Sequence, residues 1–175
     1  MAALLDHVDP DGLLEFSVVF TDRSLNHMSA SFKQVMIDIS DMLKQVYCAD
    51  AVAIVPGGGT FGMEAVARQF GRDSKVLVVR NGWFSYRWSQ IFEAGGFTAE
   101  THVIKARQSD NGPQAAFSPA PIDAVVAQIR AEKPDVVFAP HVETSAGVIL
   151  PDAYITALAA AAHDVGALMV LDCIA

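Results

Sequence analysis

The sequence predicts an α/β fold of three layers, in which a mainly parallel sheet carries helices on both faces. Short apolar runs of strand length alternate with longer segments whose apolar residues recur every three or four positions. Strands that are separated by helices need crossover connections, which favour parallel pairing. Glycine-rich or polar segments follow several of the apolar runs, at the place where parallel sheets bind their ligands.

The first elements follow an irregular opening segment, residues 1–28. Ser29 is a candidate N-cap of the first helix, because its hydroxyl can accept a hydrogen bond from a backbone N–H of the first turn. A short apolar run over 51–55 then predicts a buried strand, and a helix over 60–70 ends at Gly71. The apolar stripe of the first helix consists of Phe32, Val35, Met36, Ile39, Met42, Leu43 and Val46.

The middle of the chain continues the alternation. Apolar residues over 75–79 and 98–105 predict two strands, and the residues between them, 84–94, predict a helix that stops at a pair of glycines. The stretch 108–121 carries Asn-Gly-Pro and two further prolines, which indicates a loop.

Two more pairs of helix and strand complete the pattern. An amphipathic helix over 122–133 precedes a strand over 136–139, and an alanine-rich helix over 151–164 precedes a last strand over 167–171. The chain then stops without a helix to cover that part of the sheet, so we expect a truncation. The predicted organisation is an N-terminal segment, 1–28, followed by the first part of a larger domain, 29–175.

Composition excludes several classes of partner and location. The chain of 175 residues is 52% hydrophobic and carries a net charge of −8, so nucleic acid and anionic membranes are not expected as partners. No apolar stretch is long enough to predict a membrane span, and the first residues lack the features of a signal peptide. The two cysteines, Cys48 and Cys173, form no CxxC motif and are expected as reduced thiols of a cytoplasmic protein.

Three glycines, Gly57 to Gly59, and Thr60 connect a predicted strand to a helix. A helix start offers backbone N–H groups and a partial positive charge to an anion, and Thr60 adds a hydroxyl donor. A tight connection without any ligand explains the same residues equally well. The segment is neither a P-loop, since no Lys-Ser/Thr pair follows the glycines, nor a dinucleotide-binding GxGxxG motif.

Asp172 follows the last predicted strand directly. A carboxylate beside a buried strand is costly unless it meets a cation or hydrogen-bond donors. It could cap a helix that follows the strand. Alternatively, it could keep a ring nitrogen of a heterocyclic cofactor protonated, which makes the ring an electron sink.

Two further segments could contribute to a site. Aromatic residues cluster over 81–88, where they could pack in the core or stack on a flat cofactor. The segment 141–147 is a polar loop in an apolar half of the chain, and its Thr144 and Ser145 could donate to a ligand. A metal site from His141 and Glu143 would need further ligands, so no metal is predicted. No GxSxG motif is present, which argues against a hydrolase.

Taken in order, these segments resemble the class V aminotransferases, enzymes of fold type I that use pyridoxal 5′-phosphate. The similarity is greatest to the alanine–glyoxylate and serine–pyruvate aminotransferases. It runs from about residue 30 to the end of the chain and is carried by GGGTFGMEAVARQF, NGWFSYRW, HVETSAGVILP and VLDCIA. The resemblance implies that 29–175 is the first part of the cofactor-binding large domain.

The resemblance also implies roles for individual residues. Gly58, Gly59 and Thr60 match the loop that binds the cofactor phosphate, although one glycine stands where relatives often carry serine. Phe84 matches the aromatic residue that stacks on the pyridine ring, with its neighbour Trp83 as the second choice.

Two polar residues complete the implied site. Thr144 matches a hydroxyl residue that hydrogen-bonds the substituents of the cofactor ring. Asp172 matches the catalytic partner of the pyridine nitrogen. The Schiff-base lysine and the small C-terminal domain of the family lie beyond this aspartate, so we expect the chain to end before both and to be inactive alone.

The implied reaction is the transfer of an amino group from an alanine- or serine-like amino acid to a 2-oxo acid such as glyoxylate or pyruvate, in a protein that forms a homodimer. Two alternatives stay open. One is a lyase of the same superfamily, related to cysteine desulfurases or kynureninases. The other is a non-catalytic α/β module that binds a phosphorylated metabolite.

Overall fold

A computed structural model describes His27 and residues 30–174, which fall into two compact units, Met1–Val55 and Pro56–Ala175. Nearly all of the predicted N-terminal segment, and the predicted N-cap Ser29, lie outside the described residues.

The first unit contains one long helix, α1, from Ala30 to Tyr47. The helix confirms the prediction from the spacing of the apolar residues, but none of its residues is buried. Val46, for example, is 73% exposed. The stripe is therefore an apolar surface of this unit.

The strand predicted over 51–55 is wrong, because these residues belong to none of the described sheets. β-branched and apolar residues provide β-propensity, but a strand also needs a neighbouring strand to receive its backbone hydrogen bonds. Ile54 and Val55 are instead partly exposed.

The second unit contains the sheet and four helices. The helices are α2 (Gly59–Phe70), α3 (Trp83–Gly95), α4 (Ile122–Glu132) and α5 (Asp152–Asp164). The strands are β1 (Lys75–Arg80), β2 (Glu100–Lys105), β3 (Arg107–Gln108), β4 (Phe117–Ser118), β5 (Val136–Pro140), β6 (Val142–Glu143), β7 (Val148–Ile149) and β8 (Leu168–Asp172).

The main sheet has four parallel strands in the order β2-β1-β5-β8, which confirms the predicted parallel pairing. Arg80 aligns with Lys105 at one end of β1 and β2, and Pro140 aligns with Asp172 at the same end of β5 and β8. The carboxyl ends of the strands therefore lie together along one edge of the sheet.

Both faces of the sheet are covered by helices, as the three-layer prediction requires. Val76, Val78 and Phe138 face one side, where they pack with residues of α2 and α3. Leu77 and Val137 face the other side, where they pack with residues of α4 and α5. This alternation of neighbouring residues follows from the pleat of a strand that is buried on both faces.

The segment 108–121 is more ordered than predicted. Phe117 and Ser118 pair antiparallel with Gln108 and Arg107, so β3 and β4 form a short ribbon around the predicted loop. A second short ribbon, β6–β7, encloses a 3₁₀ turn at Thr144–Ala146. Two-residue strands are too short to produce an alternating sequence pattern, which explains why the sequence did not predict them. Among the described residues, no helix is both long and apolar enough to cross a membrane.

Phe138 provides a test of the packed layer beneath α3. It is fully buried, and its ring lies 4.7 Å from the Trp88 ring and 5.1 Å from the Phe92 ring. Phe138→Ala should lower the free energy of unfolding by about 3–5 kcal/mol, because it leaves a cavity between two aromatic rings. Phe70→Ala, at a half-exposed position, should cost about 1 kcal/mol or less in the same denaturant titration. Equal losses would contradict the assignment of Phe138 to the core.

Candidate functional site

Four segments meet at the carboxyl edge of the sheet. The end of β1 leads directly into α3, and β5 leads into the β6–β7 ribbon. Asp172 is the last residue of β8. The start of α2 joins them, since Gly59 and Thr60 line the same cavity as Asp172.

A cavity of about 140 Å³ brings together most of the residues that the sequence singled out. Gly59, Thr60, Phe84 and Asp172 line it, and so does Arg87. A neighbouring cavity of about 260 Å³ shares Gly59 and Asp172 with the first. Residues that are more than a hundred positions apart in the chain therefore share one site.

Two of the predicted residues do not line this cavity. Gly58 comes directly before the lining residue Gly59 and is the N-cap of α2, with extended backbone angles. Thr144 is exposed in the 3₁₀ turn, between Glu143 and Ser145.

The start of α2 presents its backbone to the cavity without side-chain obstruction from the glycines. The first N–H groups of a helix have no partner within the helix and carry its partial positive charge. A Cβ atom at Gly59 would collide with the side chain of Ile174, which also lines the cavity. A larger residue at position 59 would therefore require the Ile174 side chain to move.

A hydrogen bond joins the start of α2 to α3. The guanidinium of Arg87 donates from Nη1 to Oγ1 of Thr60 over 2.9 Å. Arg87 follows Phe84 by three residues, so both lie on the same side of α3. The sequence did not predict a role for Arg87, although its three-residue spacing from Phe84 was visible.

The start of α3 is held by the buried carboxylate of Glu143. Its Oε1 accepts a hydrogen bond from the backbone N–H of Phe84 over 3.0 Å, and its Oε2 accepts one from the N–H of Ser85 over 2.9 Å. The hydroxyls of Ser85 and Ser145 also donate to this carboxylate. Ser145 in turn accepts a hydrogen bond from the N–H of Trp83 over 2.8 Å.

Gly82 leaves space for Glu143 and Ser145 next to the start of α3. Its φ of 177° is ordinary extended backbone, so the constraint at this position is space rather than conformation. A Cβ atom would lie 2.5 Å from Oγ of Ser145 and 2.7 Å from Cδ of Glu143. Only glycine lets the β6–β7 ribbon lie this close to the start of α3.

The surroundings of Glu143 favour its ionised form. Burial by itself raises the pKa of this carboxyl, but the hydrogen bonds from Ser145 and Ser85 and from two backbone N–H groups outweigh the burial. The pKa of Glu143 therefore lies below its ordinary value. The sequence suggested Glu143 only as a possible metal ligand. Its hydrogen bonds to the start of α3 were not predicted, because the two segments are almost sixty residues apart.

Asp172 occupies the end of β8 and is half-buried. Its main-chain oxygen accepts a hydrogen bond from the N–H of His141 over 2.8 Å, which continues the pairing of the two chain segments beyond β5. Its carboxylate Oδ1 accepts a longer bond, 3.3 Å, from the N–H of Ile174. The rest of the carboxylate is available to a ligand in the cavity that it lines.

The depressed pKa of Glu143 predicts a pH-dependent contribution to stability. At pH 7, Glu143→Gln should lower the free energy of unfolding by about 1–3 kcal/mol. The NH₂ group of glutamine cannot accept the hydrogen bonds that a carboxylate oxygen of Glu143 accepts. The contribution of the carboxylate is fully present above the pKa of an unfolded glutamate, about 4.3, and is lost as the pH falls through the lower pKa of the folded state. The difference between the wild type and Glu143→Gln should therefore shrink below about pH 4 in denaturant titrations.

Glu93→Gln is the matched control for this experiment, since Glu93 lies on the same helix but is exposed. Its effect on stability should stay below about 0.5 kcal/mol over the same pH range. A Glu143→Gln difference that is constant between pH 7 and pH 3 would show that the carboxylate charge does not hold the start of α3.

No family model matches the chain. Curated relatives include a 2-aminoethylphosphonate–pyruvate transaminase from Pseudomonas putida, 30% identical over 74% of this chain and 32% of that protein. The protein named soluble hydrogenase, small subunit, from a Synechococcus species is 31% identical over 71% of this chain and 31% of that protein. The chain thus spans about a third of the length of the curated relatives it matches.

Solved structures with the same fold include several aminotransferases. Ureidoglycine–glyoxylate aminotransferase from Bacillus subtilis matches with a TM-score of 0.70 at 22% identity, over 84% of this chain and 35% of that chain. Pyridoxamine–pyruvate aminotransferase from Mesorhizobium loti matches with a TM-score of 0.69 at 20% identity, over 85% of this chain and 36% of that chain. The predicted resemblance to the class V aminotransferases is therefore confirmed, and the chain has the fold of the pyridoxal-phosphate-dependent transferases.

Proposed function

We propose that this chain provides the cofactor-binding part of a pyridoxal-phosphate-dependent aminotransferase. The observation that carries the proposal is the cavity in which the start of α2, the ring of Phe84 and the carboxylate of Asp172 meet. In this proposal, residues 29–175 are the first part of the large domain of a longer enzyme, which works as a cytoplasmic homodimer.

The groups around the cavity fit the chemical parts of pyridoxal 5′-phosphate. Gly59 and Thr60 line the cavity and offer backbone N–H groups and a hydroxyl to the phosphate at a helix start, and Gly58 precedes them as the N-cap. The ring of Phe84 is 45% exposed and can stack on a flat heterocycle. Asp172 offers a carboxylate to the ring nitrogen, and each of these elements is held in place by the contacts described above.

When bound, the cofactor supplies an electron sink for bonds that break next to the amino group of a substrate. Asp172 would hold a proton on the ring nitrogen, which keeps the ring electron-poor. Phe84 would fix the plane of the ring, and the Glu143 network would fix Phe84. Thr144, on the turn between Glu143 and Ser145, would donate its hydroxyl to a ring substituent.

The substrate class rests on the relatives. The names of the Pseudomonas and Mesorhizobium proteins specify pyruvate, and that of the Bacillus protein specifies glyoxylate. We therefore propose a small 2-oxo acid such as pyruvate or glyoxylate as the amino acceptor. An alanine- or serine-like amino acid is the proposed donor, as the sequence resemblance implies.

Ligand preference tests the proposal directly. The chain should bind pyridoxal 5′-phosphate at least about tenfold more tightly than ATP or NAD in equilibrium dialysis, because the cavity offers one phosphate subsite, a stacking ring and an acid. Phe84→Ala should weaken this binding by about tenfold through the loss of stacking. Phe70→Ala removes an equally exposed phenylalanine away from the cavity and should change the affinity less than about twofold. Tighter binding of ATP or NAD would favour a nucleotide-binding module instead.

Asp172 can be tested through the protonation of the bound cofactor. Asp172→Asn keeps the size of the side chain but removes its charge, so the pKa of the ring nitrogen in bound pyridoxal phosphate should fall by about one unit or more. Nitrogen NMR of ¹⁵N-labelled cofactor over a pH series measures this pKa. Asp164→Asn, an exposed aspartate on α5, is the control and should leave it unchanged. An unchanged ring pKa in Asp172→Asn would remove Asp172 from the proposed site.

A further inference from the structure

We propose that Arg87 is the cation that binds the cofactor phosphate at the start of α2, a role that no part of the sequence resemblance assigns to it. The inference rests on the proposed function, because the phosphate belongs to the proposed cofactor. Arg87 would add a charged side chain to a subsite that otherwise consists of backbone N–H groups and one hydroxyl.

Arg87 lies at the right place for this role. It lines the same cavity as Gly59, Thr60 and Phe84, and it follows Phe84 by one turn of α3. One ligand could therefore stack its ring on Phe84 and place its phosphate at the start of α2. The guanidinium of Arg87 would then lie beside the phosphate.

The hydrogen bond between Arg87 and Thr60 determines what Thr60 can offer. A guanidinium only donates hydrogen bonds, so Oγ1 of Thr60 must be the acceptor over this 2.9 Å contact. The single hydroxyl proton of Thr60 is then left to donate elsewhere. Arg87 thus orients Thr60 as a donor, and the remaining N–H groups of Arg87 can bind the same anion.

Charge also favours a phosphate here. The glycines that precede Thr60 bring no side-chain donors, and a helix start carries only about half a positive charge against the nearly two negative charges of a phosphate monoester. Arg87 is half-buried and, within the described part of the chain, forms no ion pair with an acid. Arg68, by contrast, pairs with Glu64 at 2.7 Å. The planar guanidinium suits two phosphate oxygens at once.

A purely structural role is the rival explanation, in which Arg87 only ties α3 to α2. The two explanations predict different ratios of the affinity for pyridoxal 5′-phosphate to the affinity for pyridoxal. A phosphate ligand makes the affinity for pyridoxal 5′-phosphate depend on Arg87, whereas the affinity for pyridoxal, which has no phosphate, should not depend on it. A structural tie affects both affinities in the same proportion.

The experiment measures the dissociation constants of both ligands by equilibrium dialysis for the wild type, Arg87→Gln, Arg87→Lys and the control Arg68→Gln. Arg87→Gln should weaken the binding of pyridoxal 5′-phosphate by about ten- to a hundredfold and the binding of pyridoxal by less than about threefold. Arg87→Lys should recover part of the loss, because it restores the charge without the planar fork. Arg68→Gln should change neither affinity by more than about twofold.

Inorganic phosphate provides a second readout that needs no ring. When each variant is loaded at a cofactor concentration equal to its own dissociation constant, phosphate should displace pyridoxal 5′-phosphate from the wild type at concentrations at least about tenfold lower than from Arg87→Gln. Thermal unfolding of each variant establishes that it is folded. If Arg87→Gln does not fold, the affinities of Arg87→Lys are compared with those of the wild type instead.

The outcomes separate the two proposals. An unchanged ratio of the two affinities in the Arg87 variants overturns the role of Arg87, even if the wild type binds the cofactor. A wild type that binds pyridoxal and its phosphate equally weakly overturns the proposed function together with this inference. A phosphate-specific loss in Arg87→Gln supports both.

Discussion

The geometry of the candidate site depends on the contact between Glu143 and the first turn of α3. One buried carboxylate satisfies two backbone N–H groups of the helix and two serine hydroxyls. A buried charge is stable only with such a complete set of donors, and its negative sign complements the positive start of the helix. The contact fixes the helix that carries Phe84 and Arg87, and it fixes the turn that carries Thr144.

Parallel pairing of the strands provides the frame for this contact. Because β1, β5 and β8 run in the same direction, the segments that follow them emerge at one edge of the sheet. Their buried residues alternate between two packed layers, so the strands cannot shift by one residue without turning core side chains to the wrong face. The position of Asp172 relative to the β6–β7 ribbon therefore follows from the core.

The site combines groups of opposite character in one small cavity. The start of α2 and Arg87 provide positive potential beside Thr60, whereas Asp172 provides a negative carboxylate. Phe84 contributes an apolar surface to the same cavity. A ligand that suits all of them carries an anion, a flat ring and a protonated nitrogen, and a nucleotide lacks the last of these features. This combination is the physical basis of the proposed cofactor.

The sequence by itself determined the local structure and the nature of the site's most recognisable parts. The four helices of the second unit and the four strands of its main sheet begin and end close to the predicted residues. Their apolar periodicities match buried faces, and glycine or proline flanks the helices. The glycine turn before Thr60 and the acid at the end of β8 were also visible, since each depends on residues that are adjacent in the chain.

Tertiary structure alone decided that residues 51–55 form no strand, and it decided which distant side chains meet. Residues 51–55 have the composition of a strand, but strand formation requires a partner that local composition does not specify. Glu143 caps a helix that begins sixty residues earlier, and Arg87 bonds to Thr60 from another helix. Such contacts depend on how the helices lie over the sheet, and no periodicity in the sequence encodes that arrangement directly.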